Sequence, residues 1–467
     1  MWTSAKTAHQ FIIGNFIPYL WVGGEELGIC VSAENDRGWI NAAGKSCQEI
    51  VRNGDTLEIV YNLIAQPSII KEAREITLAF QATPVKPMPE NWRLKVFGAY
   101  KARPFVDKDN YLGFFGSCLY WGGETGSDDY YPRGGDMEYL KKLVEKRKTG
   151  VADTAYMENW LKGYGKALDA IVNPDEKKKW ATVYKNHVNY AFRGMSEHMC
   201  FYTNGRGIRL DTPEGQTFIN EWLIQEFSTR KWKYTGCLSY DLDPVASFRD
   251  YAIWYLKQMA EICLDTVYWD DFFFASNYNT TLTGAYYLPD GNIQPSMGLY
   301  NMREYVRRTG VMYLEMKRPV FNMVHMTNAA INPILSMAQM NYTWEDKNGD
   351  ADFQDRFSRD YIRAESIGLQ QGNIPYCLWL VSGKDKSKAA WAERTGTGVA
   401  LTHEIKTTGT PDVFWNTYKA MMDFGYGRPE VKVSQYWRKD HPVSFTGIDT
   451  SSLCMSKSGA CLGSSRK

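Results

Sequence analysis

Thr266-Val267-Tyr268-Trp269-Asp270-Asp271 is a run of strand formers that stops at two adjacent carboxylates. Val, Tyr and Trp suit the pleated, half-buried surface of a strand. Two neighbouring aspartates cannot both be buried at tolerable cost, so the pair is expected at a strand end that faces a cleft. Phe272-Phe273-Phe274 follows where glycine or a polar cap would be ordinary. Aromatic walls of that kind favour displaced carboxylate pKa values. The competing structural role, capping a turn or pairing with an arginine, is commoner for a lone aspartate than for two in succession.

On either side of this run the chain repeats one texture. From Trp92 onward, short apolar runs alternate with longer helical stretches, the pattern of βα units. Eight candidate strands stand out: Leu94 to Tyr100, Gly113 to Tyr120, Met199 to Thr203, Gly236 to Tyr240, Thr266 to Trp269, Val320 to His325, Ile334 to Tyr342 and Ile374 to Leu380. Eight such units predict an α/β fold, a (β/α)8 TIM-type barrel. Apolar stripes at helical spacing support it: Phe218, Ile219, Trp222, Leu223 and Phe227 after the Thr212-Pro213 start, then Phe248, Tyr251, Tyr255, Met259 and Ile262, then Met302, Tyr305, Val306, Met312, Tyr313 and Met316. Ala155 to Tyr190, charged and broken by Asn173-Pro174-Asp175, reads as an excursion from the barrel, and Pro411 to Phe424 with Gly425 as its stop reads as a last helix.

Ahead of the barrel, Phe11-Ile12-Ile13, Thr56 to Tyr61 and Arg74 to Phe80 are strand-like runs broken by Gly and Asn. Residues 1–85 are therefore expected to form a partial β-sandwich. Pro84, Pro87 and Pro89 then give a stiff extended connection. The barrel is placed at 86–430, and 431–467, strand-like and then polar, reads as the start of a truncated C-terminal β-domain.

Composition narrows the function classes. With 54 basic against 53 acidic residues the net charge is +1, so no global field draws the chain to nucleic acid or an anionic membrane, and neither is an expected partner. No apolar run reaches the ~18 residues of a membrane span, and Met1 to Leu20 lacks a secretory signal pattern. Nine cysteines are scattered without C-x-x-C or zinc spacing and read as mostly free, buried thiols. Aromatic residues make up 14%, including 16 Trp and 30 Tyr, which suits surfaces that stack on sugar rings or bases. Phosphate loops, a Gly-x-Ser-x-Gly elbow and a His-Glu-x-x-His helix are absent, and no cofactor is expected.

In a (β/α)8 barrel the chemistry lies at the C-terminal ends of the strands. The residues there are Trp121 and Glu124, Asn204, Asp241 and Asp243, Asp270 and Asp271, His325 and Asn328, Trp344, Glu345 and Asp346, and Trp379. Carboxylates ringed by Trp and Tyr are what glycosidic bond cleavage requires, one acid to protonate the leaving oxygen and a second group to stabilise charge at the anomeric carbon. Asp270, Asp271 and Glu345 are the candidate catalytic residues and the others candidate substrate contacts. Two rivals compete for the same residues: a carbohydrate-binding protein without chemistry, and a metal-dependent hydrolase using Asp241, Asp243, Asp270 and Asp271 as an oxygen cage. His325 alone is more often a satisfied core histidine than a ligand.

Three stretches together resemble glycoside hydrolase family 123 and its uncharacterised relatives: Gln81 to Pro87 after a β-region, Val267-Tyr268-Trp269-Asp270-Asp271, and Tyr342-Thr343-Trp344-Glu345-Asp346 ahead of Phe353 to Gly368. The resemblance implies a (β/α)8 catalytic domain flanked by β-sandwiches, a periplasmic or extracellular setting if the N-terminus is truncated, and β-N-acetylgalactosaminidase chemistry assisted by the substrate's acetamido group. It implies that Asp270 matches the family's orienting Asp, while Asp271 falls where the family has its Glu acid/base. Aspartate is one methylene shorter, and proton transfer needs a reach of roughly 3 Å, which makes Glu345 the first alternative acid.

Overall fold

Val267 and Trp269 face one side of their strand and Tyr268 and Asp270 the other, and this alternation recurs across one large sheet in a computed structural model of the chain. The structure describes residues 2–3, 16–24, 27–97, 106–107, 110–121, 123–124, 172–174, 198–209, 213–224, 237–238, 242–262, 266–270, 272–273, 275–326, 330–343, 368–377, 403–407, 412–435, 452–457 and 460–465. These form a mixed α/β protein. Eight strands of the large sheet run parallel and in sequence order: β1 (Val96–Phe97), β2 (Tyr111–Trp121), β3 (His198–Arg209), β4 (Thr266–Asp270), β5 (Asn322–His325), β6 (Met340–Thr343), β7 (Ile374–Cys377) and β8 (Lys406–Thr407).

The sheet is strongly curled. Were it flat, six inter-strand spacings would separate β1 from β7 by roughly 29 Å, yet the Phe97 ring lies 6.3 Å from Tyr376 on β7, 5.9 Å from Tyr342 on β6 and 6.0 Å from Tyr268 on β4. Phe97, Tyr268, Met323, Met340, Tyr342, Ile374 and Tyr376 thus share one interior, with Phe321 and the flanking Met88 and Trp92. Val96 faces away, against Phe414, Trp415 and Tyr418 of the helix Asp412–Phe424. Among the described residues no backbone ladder joins β8 to β1. Side chains span the seam instead: Lys406 Nζ donates to the carbonyls of Trp92 and Lys95, Arg93 pairs with Glu404 at 2.6 Å, and Tyr376 Oη accepts from the Phe97 N–H at 2.7 Å.

Two of the expected strands differ. Cys237–Leu238 lies in the sheet but as an antiparallel partner at the end of β3, outside the parallel series, and the eighth parallel strand is Lys406–Thr407. Within Ile334 to Tyr342, Pro333 starts a short helix, Asn332–Leu335, and the chain becomes extended only at Met340. Outside the sheet, the helix Ala246–Ile262 buries Phe248, Ala252 and Leu256, and the helix Leu299–Glu315 buries Met302, Tyr305, Val306, Met312 and Tyr313. On the helix Pro213–Trp222, Trp222 is buried while Phe218 remains exposed. The last helix stops as expected at Gly425, whose φ of +114° lets the following Tyr426 N–H return to Met421 O at 2.9 Å. The Ala155 to Tyr190 excursion lies outside the described residues apart from 172–174.

Before the sheet, two three-stranded antiparallel sheets form: Trp2–Thr3, Gln48–Asn53 and Thr56–Tyr61 in one, Tyr19–Gly23, Gly28–Ser32 and Ala79–Thr83 in the other. Phe16, Ala33, Trp39 and Cys47 make a small core with Tyr61, Leu63, Ile76 and Leu78. After it, Lys432–Gln435, Ser452–Lys457 and Ala460–Ser465 form an antiparallel sheet. Cys30, Cys47 and Cys377 are buried. Among the described residues no helix is long and apolar enough to cross a membrane.

Candidate active site at the ends of β4 and β5

Period-two alternation puts Asp270 and His325 at the same level of the sheet, each the last inward residue of its strand. Both are buried, Asp270 at 9% and His325 at 1% relative exposure. His325 Nδ1 lies 2.8 Å from Asp270 Oδ1 and 2.6 Å from the Tyr268 hydroxyl, which is itself 3.4 Å from Asp270 Oδ1. An ionised carboxylate only accepts, and Nδ1 has either a proton or a lone pair. The arrangement that satisfies all three contacts puts the proton on Nδ1, donated to Asp270 and shared with the Tyr268 oxygen, while the Tyr268 hydroxyl donates to Oδ1.

Aromatic rings floor this group. Tyr342 stands edge-on to both His325 at 5.3 Å and Tyr268 at 5.4 Å, and Phe97 closes the layer below. Rings packed this way fix the rotamers of Tyr268 and His325 and keep water from beneath them. Immediately after Asp270, the Phe272 N–H donates to His325 O at 2.8 Å and the Phe273 carbonyl accepts from the Arg206 guanidinium at 3.1 Å. Arg206, buried at 2% exposure, also donates Nε–H to Leu242 O at 3.0 Å. It ties the chain leaving β3 to the chain leaving β4.

Of the residues singled out from the sequence, the structure brings Asp270 and His325 together and sets Asp243 apart. Asp243 is 3% exposed; Asn277 donates to its Oδ2 at 2.7 Å and Asn301 to its Oδ1 at 3.0 Å. Each of its oxygens thus accepts from a side chain of the protein. Burial pushes its carboxyl above the ordinary range, opposed by those two amides and by Arg206 and Arg249. Asn204 is paired in the backbone ladder with Asp270, and Trp121 and Glu124 lie at and just beyond the end of β2. Asp241, Asp271, Asn328, Trp344, Glu345, Asp346 and Trp379 lie outside the described residues. Among the described residues no three His, Cys, Asp or Glu side chains are grouped to hold a metal ion.

Tyr268, Arg206 and Glu34 were not among the residues the sequence pointed to. Tyr268 carried a signal, since it stands two residues before Asp270 and so on the same face of β4. Glu34 carried none locally; its partners lie more than 250 residues away.

No family model and no curated protein matches the sequence. Solved structures that superpose in part include the α-galactosidase from Lactobacillus brevis (14% identity, 52% of this chain and 31% of that one, TM-score 0.30) and the GH36 α-galactosidase AgaB from Geobacillus stearothermophilus (14%, 55% and 34%, 0.30). TtGalA, an α-galactosidase from Thermus thermophilus in complex with p-nitrophenyl α-D-galactopyranoside, superposes over 88% of this chain and 76% of its own, at 10% identity and a TM-score of 0.36. The chain spans about a third of the length of the first two structures. Superpositions at these scores do not establish a shared fold or activity.

Proposed function

We propose that this chain is a glycoside hydrolase whose parallel strands close as a (β/α)8 barrel behind a sandwich-like N-terminal region, with the reaction centred on Asp270. One observation carries the reading: a buried carboxylate at the C-terminal end of a central parallel strand, where such sheets bind and transform ligands, held by an imidazole and a phenol. His325 and Tyr268 hold Oδ1 of Asp270 in place, and Asp270 is taken as the carboxylate. In that form it steadies the positive charge that develops at the anomeric carbon, or orients an acetamido group that does so. Asp271 or Glu345 supplies the proton to the leaving oxygen. The resemblance to glycoside hydrolase family 123 supports an N-acetylhexosamine-containing glycan as the substrate class, with Trp121, Trp344 and Trp379 as stacking surfaces, Glu124, Asn204, Asp241, Asn328 and Asp346 as polar contacts, and no cofactor.

A panel of aryl glycosides that includes N-acetyl-hexosaminides, run with and without chelator, tests this. Chelator-insensitive release of the aryl group that Asp270→Asn abolishes is the expected result. Binding without turnover would return the protein to a carbohydrate-binding role, and loss of activity in chelator to a metal-dependent hydrolase. The acid is then found from leaving groups. Glu345→Gln is expected to be slowed on the order of 10²-fold or more on natural glycosides and far less on aryl glycosides that need no protonation. The same pattern in Asp271→Asn instead would restore the adjacent-pair arrangement that the resemblance implies.

A further inference from the structure

The helix Leu299–Glu315, which follows the long segment after β4, begins without a cap of its own. Its N-cap residue is Gly298, with φ +64° and no side chain, and a Cβ there would lie 3.0 Å from Asp243 Oδ2. The first N–H groups of a helix need acceptors. They find one in the N-terminal region: Glu34 Oε2 accepts from the Leu299 N–H at 3.1 Å, Oε1 accepts from the Tyr300 N–H, and Ser296 Oγ donates to Oε2 at 2.8 Å. A carboxylate here also meets the positive end of the helix dipole.

Glu34 does not act alone. Asn35 Nδ2 donates to Gly284 O at 2.8 Å, Asp36 Oδ1 accepts from Tyr286 Oη at 2.9 Å and from Gln294 Nε2 at 3.2 Å, and Tyr300 Oη donates to Ser32 O at 2.9 Å. Four residues of one short stretch, Ser32, Glu34, Asn35 and Asp36, thereby grip the segment between Gly284 and Tyr300.

Two routes carry that grip to Asp270. Tyr305, in the second turn of the capped helix, packs its ring 4.7 Å from Trp269 and 5.9 Å from Phe272, the residues on either side of the aspartate pair. Ser296, bonded to Glu34, pairs with Asn277 through both main-chain groups at 2.7 and 2.9 Å, and Asn277 leads back through 275–276 to the chain leaving β4. We propose that Glu34 is a positioning residue for Asp270, so that the N-terminal region is a working part of the site. Its kinetic consequence rests on the glycosidase reading; its consequence for the order of β4 does not.

The test uses the full chain with Glu34→Ala and Glu34→Gln, followed by amide hydrogen exchange and by turnover of whichever aryl glycoside the parent cleaves. In Glu34→Ala, exchange at 266–273 and 297–305 is expected to rise about tenfold or more, and kcat to fall on the order of 10- to 100-fold with KM within about twofold, as a displaced reacting group predicts. Both oxygens of Glu34 accept, and Glu34→Gln keeps one acceptor while turning the other into a donor that faces a donor, so it is expected to show a smaller change in the same direction on both. Faster exchange confined to the neighbourhood of residue 34, with kcat unchanged, overturns the proposal. Should Glu34→Ala not fold, Glu34→Gln decides: faster exchange at 266–273 with lowered kcat supports it, and parent values on both overturn it. If the parent cleaves no glycoside, the glycosidase reading fails and the exchange pattern alone decides the role of Glu34.

Discussion

Asp270 and Asp243 are both buried aspartates that follow a sheet strand, and they are held by opposite kinds of partner. Asp243 has an amide from Asn277 on one oxygen and an amide from Asn301 on the other. Amides do not titrate, so neither group bonded to Asp243 through these contacts can take its proton or return one. Asp270 has an imidazole and a phenol on Oδ1. Burial alone does not mark a carboxylate for chemistry; the kind of group that holds it does.

The sharpest break of that comparison is Asp270→Asn. An isosteric amide keeps the packing and removes the charge, so kcat/KM is expected to fall on the order of 10³-fold or more while the thermal midpoint stays within about 2 °C of the parent. Equal loss of stability in both variants would dissolve the distinction. Asp243→Ala strands the amides of Asn277 and Asn301 at a buried junction and is expected to cost about 2–4 kcal/mol in chemical denaturation, with turnover per folded molecule much less affected than in Asp270→Asn.

A smaller effect follows from the raised carboxyl pKa of Asp243. A group whose folded pKa lies above its unfolded value adds stability that is fully present below the unfolded value, 3.8 for aspartate, and lost as pH rises through the folded one. The melting temperature of the parent relative to Asp243→Asn is therefore expected to be greatest near pH 4 and to decline as pH rises. A difference that grows with pH would place the amides, not burial, in control of that carboxyl.

Lys86 provides the opposite sign. Burial lowers its ammonium pKa to about 7, and its Nζ donates to two carbonyls, Gln371 O at 2.5 Å and Leu335 O at 3.5 Å. Its folded value lies below the ordinary 10.5, so the native state gains stability as pH climbs between the two. Any advantage of Lys86→Met in thermal unfolding should accordingly be largest below pH 7 and shrink toward pH 10.

Short runs of apolar strand formers made β3, β4 and β5 visible in the sequence, and the carboxylates at the end of β4 singled out Asp270. What failed was physical, too. Gly236 to Tyr240 has strand composition, but composition does not distinguish a parallel strand from an antiparallel partner. Lys406–Thr407 has no apolar pattern, because its lysine is buried through bonds to carbonyls. His325 looked like an ordinary core histidine because its link to Asp270 spans 55 residues. Asp243 had the same residue type and a similar place after a strand as a catalytic candidate, and only the two asparagines mark it as structural. The missing cap at Gly298 was the one local sign that something distant, Glu34, had to complete that helix.

The seam at Lys406 also sets an order of events during synthesis. The carbonyls that receive its ammonium belong to Trp92 and Lys95, 314 and 311 residues earlier, so the first strand leaves the ribosome long before its last neighbour exists. Contacts that distant are costly to close and slow to find. Until Tyr376 and Lys406 arrive, the Phe97 N–H and the carbonyls of Trp92 and Lys95 lack the side chains that meet them in the finished protein, and a nascent chain stalled before that point would present them to other chains.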